Sequence, residues 1–290
     1  MPLRFVSECT FQVNGLTLAA KEWGMPGATP VIALHGWLDN ANSFDVMLPY
    51  MDDLHVMALD CAGHGSSSFR SADSGYNIWQ DIDEVMAVAD QLGWERFVLL
   101  GHSRGAIIST LIAGAFPERI TQLALIDGHM PGLADVGGTA KQVARAIYEN
   151  KRYGNASPSF FGDYDRAVMA RINGFVPLQE SAARALAERG VRQDARGFYW
   201  HNDQRLKAAS QMKLSREHLK DFFTAITGQV LLIQATGSPF KLNDEQKESF
   251  DWIANLTIVA MDGSHHLHME EQAEQVAAVV QDFIQPLPLF

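Results

Sequence analysis

Short, uninterrupted apolar runs recur along the chain at 31–34, 56–59, 97–100, 123–126, 230–234 and 256–260, several of them rich in Val, Ile and Leu. Runs of this length predict parallel strands covered on both faces. Two more strands, over 3–13 and 17–23, flank Asn14-Gly15, the strongest two-residue hairpin signal. Between the runs the apolar period lengthens to that of a helix. Over Asn77 to Leu92, the side chains of Ile78, Ile82, Val85, Ala89 and Leu92 share one face, Asn77 and Gln80 form a capping box, and Gly93 is the stop. A C-terminal helix over 272–284 follows the same logic through Val276, Val279, Val280 and Phe283, with Pro286 just past its end. Strands alternating with helices predict an α/β fold with a mostly parallel, eight-stranded sheet.

One stretch breaks the alternation. Between the strand ending at Asp127 and the strand starting near Gln229, about a hundred residues carry no core-strand pattern. That is too long for a loop. Helical periodicity is found near 139–153, 164–173, 178–189 and 203–209, and Phe160, Phe161, Phe175, Tyr199 and Trp200 give the stretch aromatics suited to cover an apolar cleft or to pack it onto the core.

The candidate chemistry centres on Gly101-His102-Ser103-Arg104-Gly105, which follows the run Phe97-Val98-Leu99-Leu100 and opens the apolar run from Ala106 to Phe116. That is strand, sharp turn and helix, with glycines on either side of a serine lifted clear of the sheet. A serine is a poor nucleophile at its free pKa, so it needs a base, and histidine is the side chain suited to that at neutral pH. Histidines cluster after the last predicted strand, in Asp262-Gly263-Ser264-His265-His266-Leu267-His268-Met269-Glu270.

With these features the chain resembles the α/β-hydrolase superfamily. His35-Gly36-Trp37-Leu38-Asp39-Asn40-Ala41-Asn42-Ser43-Phe44 and Asp60-Cys61-Ala62-Gly63-His64-Gly65-Ser66-Ser67 are most similar to the serine hydrolase-like proteins. The resemblance implies an α/β-hydrolase core over 1–131 and 228–290 and an inserted helical lid over 132–227. It implies an oxyanion hole built from the backbone N–H groups of Trp37 and Arg104, and a catalytic histidine in the last loop. His265 aligns with the first histidine of the family's H-x-x-H-x-E stretch, and His266 is the rival. His35 and His102 are expected beside the turn.

The acid departs from the family pattern. Relatives carry an Asp just past the penultimate strand, where this chain has Ala235-Thr236-Gly237-Ser238-Pro239. A hydroxyl orients an imidazole but does not stabilise an imidazolium. Asp127, ending the strand Leu123-Ala124-Leu125-Ile126, is the substitute, because some superfamily members carry their acid there. Asp244 is the rival, although Asn243 to Gln246 reads as a helix start that already accounts for an acidic residue. Asp60 is expected to hold the turn that follows it, and Asp262 is too close in sequence to orient His265.

Composition narrows the function further. The chain has 290 residues, 47% hydrophobic, with a net charge of −11. Such a balance argues against phosphate-backbone binding, so no nucleic-acid partner is expected. No apolar stretch reaches membrane-spanning length, and no signal-peptide block follows Met1-Pro2-Leu3-Arg4-Phe5, so a cytoplasmic protein is expected. Cys9 and Cys61 form no disulfide framework, and the histidines at 265, 266 and 268 lack a second ligand cluster, so no metal or cofactor is expected. The reading is a serine hydrolase cleaving a carboxylic ester, or a related acyl bond, of a small apolar substrate through an acyl-enzyme. Its rivals are a ligand-binding or low-activity relative and a carbon–carbon bond hydrolase or perhydrolase with the same triad.

Overall fold

In the computed structural model, which describes residues 2–284, an eight-stranded sheet runs in the order β1-β2-β4-β3-β5-β6-β9-β10. Its strands are β1 (Phe5–Val13), β2 (Leu16–Gly24), β3 (Thr29–Leu34), β4 (Leu54–Leu59), β5 (Phe97–His102), β6 (Ile120–Ile126), β9 (Gln229–Ala235) and β10 (Leu256–Met261). The Asn14-Gly15 turn has positive φ at both residues, as a tight hairpin requires, and pairs β1 antiparallel with β2. From β4 to β10 every pairing is parallel.

Parallel strands need crossovers, and helices supply them on both faces. The helices of the core are α1 (Ile78–Gln91), α2 (Arg104–Ala115), α6 (Arg216–Thr224), the short α7 (Asp244–Glu248) and α8 (Ala273–Phe283). Successive residues of each strand serve opposite cores. Leu99 packs among Ile82, Val85, Ile108 and Leu111 on one face, while Val98 and Leu100 pack among Phe44, Met47, Val276 and Val280 on the other. The capping boxes at Asn77 and Asn243 are both present. Pro286 lies outside the described residues. Both cysteines are free thiols, Cys61 buried and Cys9 half-buried.

Residues 132–227 leave and re-enter the sheet between β6 and β9. They hold α3 (Thr139–Gly154), α4 (Tyr164–Ile172), α5 (Glu180–Gly190) and a hairpin of β7 (Val191–Asp194) and β8 (Gly197–Trp200). Helical periodicity does not reveal the hairpin, whose strands are only four residues each and separate from the main sheet. Only a 3-10 turn, Gln204–Lys207, forms where the pattern predicts a helix over 203–209. A small core of Ala167, Val168, Leu178, Ala182, Leu186 and Met269 ties α4 and α5 to the last loop of the sheet domain. The end of the stretch behaves differently, because Leu219 and Phe223 of α6 belong to the core beneath α2.

Candidate active site

Open parallel sheets bind ligands beyond the carboxyl ends of their strands. Here β3, β5 and β6 are consecutive neighbours, so the residues that follow them converge: the His35-Gly36-Trp37 loop, Ser103 and Asp127. The loop after β10 brings His265 to the same end.

Ser103 sits at φ 51° and ψ −114°, a conformation that L side chains rarely adopt. The turn is held because the start of α2 lies closely against the ends of both β3 and β5. A Cβ on Gly105 would lie 1.9 Å from the Leu34 carbonyl oxygen, and one on Gly101 would lie 2.5 Å from the Ala106 Cα. The Ser103 N–H bonds to the Ile126 carbonyl at 2.9 Å, which fixes the serine against the end of β6.

His265 Nε2 is 2.9 Å from Ser103 Oγ, and His265 Nδ1 is 2.6 Å from Asp127 Oδ2. A carboxylate only accepts, so Nδ1 carries the proton and Nε2 presents its lone pair to the serine hydroxyl. The Ala235 N–H donates to the other carboxylate oxygen of Asp127 at 3.0 Å. Strand order explains how a carboxylate just past β6 meets the end of β9. The two strands are adjacent, and the Asp127 N–H bonds to the Ile233 carbonyl at 2.8 Å, so the two strand ends face one imidazole edge. The Ser238 hydroxyl instead accepts from the Phe240 N–H. Asp244 is fully exposed in the first turn of α7, paired among the described residues only with Lys247 at 3.9 Å. Asp60 holds the turn after β4 by accepting the N–H groups of Ala41 and Ser66.

The two expected oxyanion donors flank the serine. Arg104 opens α2, so its N–H has no acceptor within the helix. The Trp37 N–H makes no backbone hydrogen bond among the described residues, and its indole is anchored to the Leu206 carbonyl at 2.9 Å. The Arg104 guanidinium turns away to Asp81 at 2.5 Å.

Two cavities open on Ser103 and His265. One, of about 230 Å³, is lined by Trp37, Leu38, Phe175, Val176, Phe240 and Arg171 among others. The other, of about 370 Å³, passes Asp127 toward Ile107, Met130, Leu232 and Leu242. A larger cavity, about 900 Å³, lies elsewhere, between α3 and the β7-β8 hairpin, and touches none of the three side chains. Of the aromatics singled out between 160 and 200, Phe175 alone borders a Ser103 cavity. Trp200 and Phe161 pack within the inserted stretch, and Tyr199 faces the remote cavity.

A second buried network lies behind His265, and it joins His102 and His266 to Asp39 and Arg171, to which sequence reasoning gave no role. Asp39 Oδ2 accepts from His266 Nε2 at 3.2 Å, Asp39 Oδ1 accepts from Arg171 at 2.9 Å, and His102 Nε2 donates to the His265 carbonyl at 2.9 Å. Burial and then the neighbouring imidazoles of His268, His265 and His266 hold the His102 ring well below its ordinary pKa, so it is neutral. Burial pushes the Asp39 carboxyl up, but His266 and Arg171 outweigh it and hold the group well below the usual range. The metal-ligating atoms of Asp39, His102 and His266 lie within 4.8 Å of one another. However, the Arg171 guanidinium, 2.9 Å from Asp39 and 3.4 Å from His266 Nε2, already supplies the cation such a cluster would bind. Asp39 belongs to a motif legible in the sequence. Arg171 carried no signal, because its contact spans 132 positions.

No helix among the described residues is long and apolar enough to cross a membrane. A profile of the α/β hydrolase fold family matches residues 29–272. Serine hydrolase-like protein 2 of Homo sapiens is 31% identical over 97% of this chain and 94% of its own length. A probable serine hydrolase of Drosophila melanogaster is 30% identical over 92% of this chain and 86% of its own. A crystal structure of a hypothetical protein from Pseudomonas aeruginosa PAO1 superposes with a TM-score of 0.90 at 36% identity, covering 96% of this chain and 98% of that one. The chain therefore belongs to the α/β-hydrolase fold family, in which serine hydrolase-like proteins match it along nearly its whole length.

Proposed function

We propose that this protein is a serine hydrolase that cleaves a carboxylic ester, or a related acyl bond, of a small and largely apolar substrate. The observation that carries the reading is the unbroken path from Asp127 Oδ2 through His265 to Ser103 Oγ, with contacts of 2.6 and 2.9 Å. Ser103 Oγ attacks the acyl carbon while its proton passes to His265 Nε2. Asp127 holds the Nδ1–H tautomer and stabilises the imidazolium. The carbonyl oxygen, now negative, takes hydrogen bonds from the N–H groups of Trp37 and Arg104. Collapse expels the alcohol, which leaves with the proton from His265, and water repeats the sequence on the acyl-enzyme to release the acid and free Ser103.

Residues 132–227 act in this reading as a lid. Their aromatic contribution at the site is Phe175, which meets Phe240 with ring centroids 6.2 Å apart, while Phe240 packs edge-on to His265 at 4.7 Å. Apolar linings in both cavities favour uncharged acyl and alcohol groups. Two free thiols fit a reducing, cytoplasmic compartment. The ligand-binding alternative drew its support from Ser238 at the usual acid position, and the carboxylate beside His265 Nδ1 removes that support.

The test is a turnover screen with p-nitrophenyl esters of increasing acyl length, run beside Ser103→Ala. The reading requires hydrolysis that disappears in the variant. Equal rates in the two proteins, or no ester turned over at any chain length, would overturn it.

A further inference from the structure

Asp39 is a fully buried carboxylate that the proposed chemistry does not use. Its N–H closes a turn on the Gly36 carbonyl at 3.2 Å, and the two residues inside that turn are Trp37 and Leu38. On its other side Asp39 Oδ2 holds His266, the residue next to His265 in the chain, while the neutral His102 ring packs beside it and donates from Nε2 to the His265 carbonyl. The packing is tight enough that a Cβ on Gly36 would lie 2.9 Å from both Asp39 Oδ2 and His102 Nδ1. One carboxylate thus touches both the loop of the expected oxyanion donor and the backing of the expected base.

A bare carboxylate at this depth would be strongly disfavoured. Its countercharge comes from outside the sheet domain, from Arg171 at the end of α4. That guanidinium also donates to the Val176 carbonyl at 2.9 Å and lines the 230 Å³ cavity beside Ser103. The seated segment therefore adds a guanidinium, beside His266, to the carboxylate that joins the donor loop to the histidine loop. We propose that Arg171 is a positioning residue for the Ser103–His265 site, acting through the Asp39 carboxylate. This rests on the reading of Ser103 and His265 as nucleophile and base.

The experiment compares the wild type with Arg171→Gln, Arg171→Lys and the doubly neutralised Asp39→Asn/Arg171→Gln. Each protein is read for its unfolding midpoint, kcat, KM and the downfield proton resonance of His265 Nδ1–H. Arg171→Gln should lower kcat on the order of 100-fold, the cost of a misplacement near 1 Å, with KM little changed and the resonance displaced. Arg171→Lys keeps the charge without the two-pronged donor geometry and should fall between. The double variant buries no unpaired charge, so its midpoint should recover while kcat stays low and the resonance stays displaced. Recovery of kcat together with the midpoint would reduce Arg171 to a structural residue and overturn the proposal, as would an unmoved resonance with full kcat in Arg171→Gln. The resonance is read on resting protein, so a wild type without ester turnover would sink the functional reading while the resonance still decides the role of Arg171.

Discussion

The sheet domain and the inserted stretch at 132–227 are stabilised by different physics. Strand β5 and helix α2 are buried almost all round, and their contacts are apolar and non-directional. The sixteen residues of α3, by contrast, bury only Ala146. Much of what joins the stretch to the sheet is polar and directional. Arg189 pairs with Asp60 at 2.7 Å, the amides of Asn40 and Asn42 donate to the Leu186 and Ala185 carbonyls at 2.9 Å, and Tyr76 donates to Asp203 at 2.7 Å. An apolar core fixes where Ser103, Asp127 and His265 stand. The polar seam specifies one seated arrangement of the segment that walls the site.

Changes at the strand ends should give the largest effects and leave stability alone. Ser103→Ala should lower ester turnover by about 10⁴-fold or more, with an unchanged denaturant midpoint. Asp127→Asn should favour the wrong histidine tautomer and cost about 10⁴-fold in kcat, by analogy with the serine-protease case. Asp244→Asn, on the exposed face of α7, should leave kcat as it is. A fall in kcat with Asp244→Asn and none with Asp127→Asn would reverse the assignment of the acid.

A break in the seam should instead appear as lost stability. Arg189→Met leaves Asp60 buried with backbone donors only, and breaking such a pair costs about 3–5 kcal/mol. Urea unfolding should show this as a lower midpoint, and a loss under 1 kcal/mol would mean that the seam is not what holds the segment.

The sheet domain also carries a titration signature. Burial raises the Glu84 carboxyl to about 7 despite the opposing pull of Arg70, which pairs with it at 2.6 Å. A carboxyl raised on folding stabilises the native state fully below its unfolded value near 4.5, and that contribution fades as the pH rises through 7. Its size is at most about 3 kcal/mol. Glu84→Gln should therefore flatten the pH dependence of unfolding free energy between 4.5 and 7, and an unchanged slope would contradict the burial argument.

The mildest change is at the mouth. Phe175 is 83% exposed, so Phe175→Ala should leave the fold and kcat intact and raise KM for apolar esters by about tenfold or less. A change in unfolding midpoint without a change in KM would mean that Phe175 packs the segment and does not meet substrate.

The same contrast explains what the sequence revealed. The eight core strands were legible from local patterning, which agrees with burial in the inner strands but not in β10, an edge strand with no buried residue. The serine turn was legible through its glycines, which stand against the Leu34 and Ala106 backbone. The contact of Asp127 with His265 was legible only through its place at a strand end and the family resemblance. The β7-β8 hairpin and the Arg171–Asp39 pair were not. Four-residue strands have too few positions to set a period, and a pair separated by 132 residues leaves no local trace. Periodicity reads burial, and the seam depends on hydrogen bonds between distant residues.

The most direct measurement is labelling by a fluorophosphonate, followed by intact-mass analysis and localisation of the adduct. The account requires stoichiometric, single-site modification at Ser103 in the wild type, and its loss in both Ser103→Ala and His265→Ala, since the hydroxyl reacts only beside its base. An unlabelled wild type, or an adduct at any other residue, would contradict it.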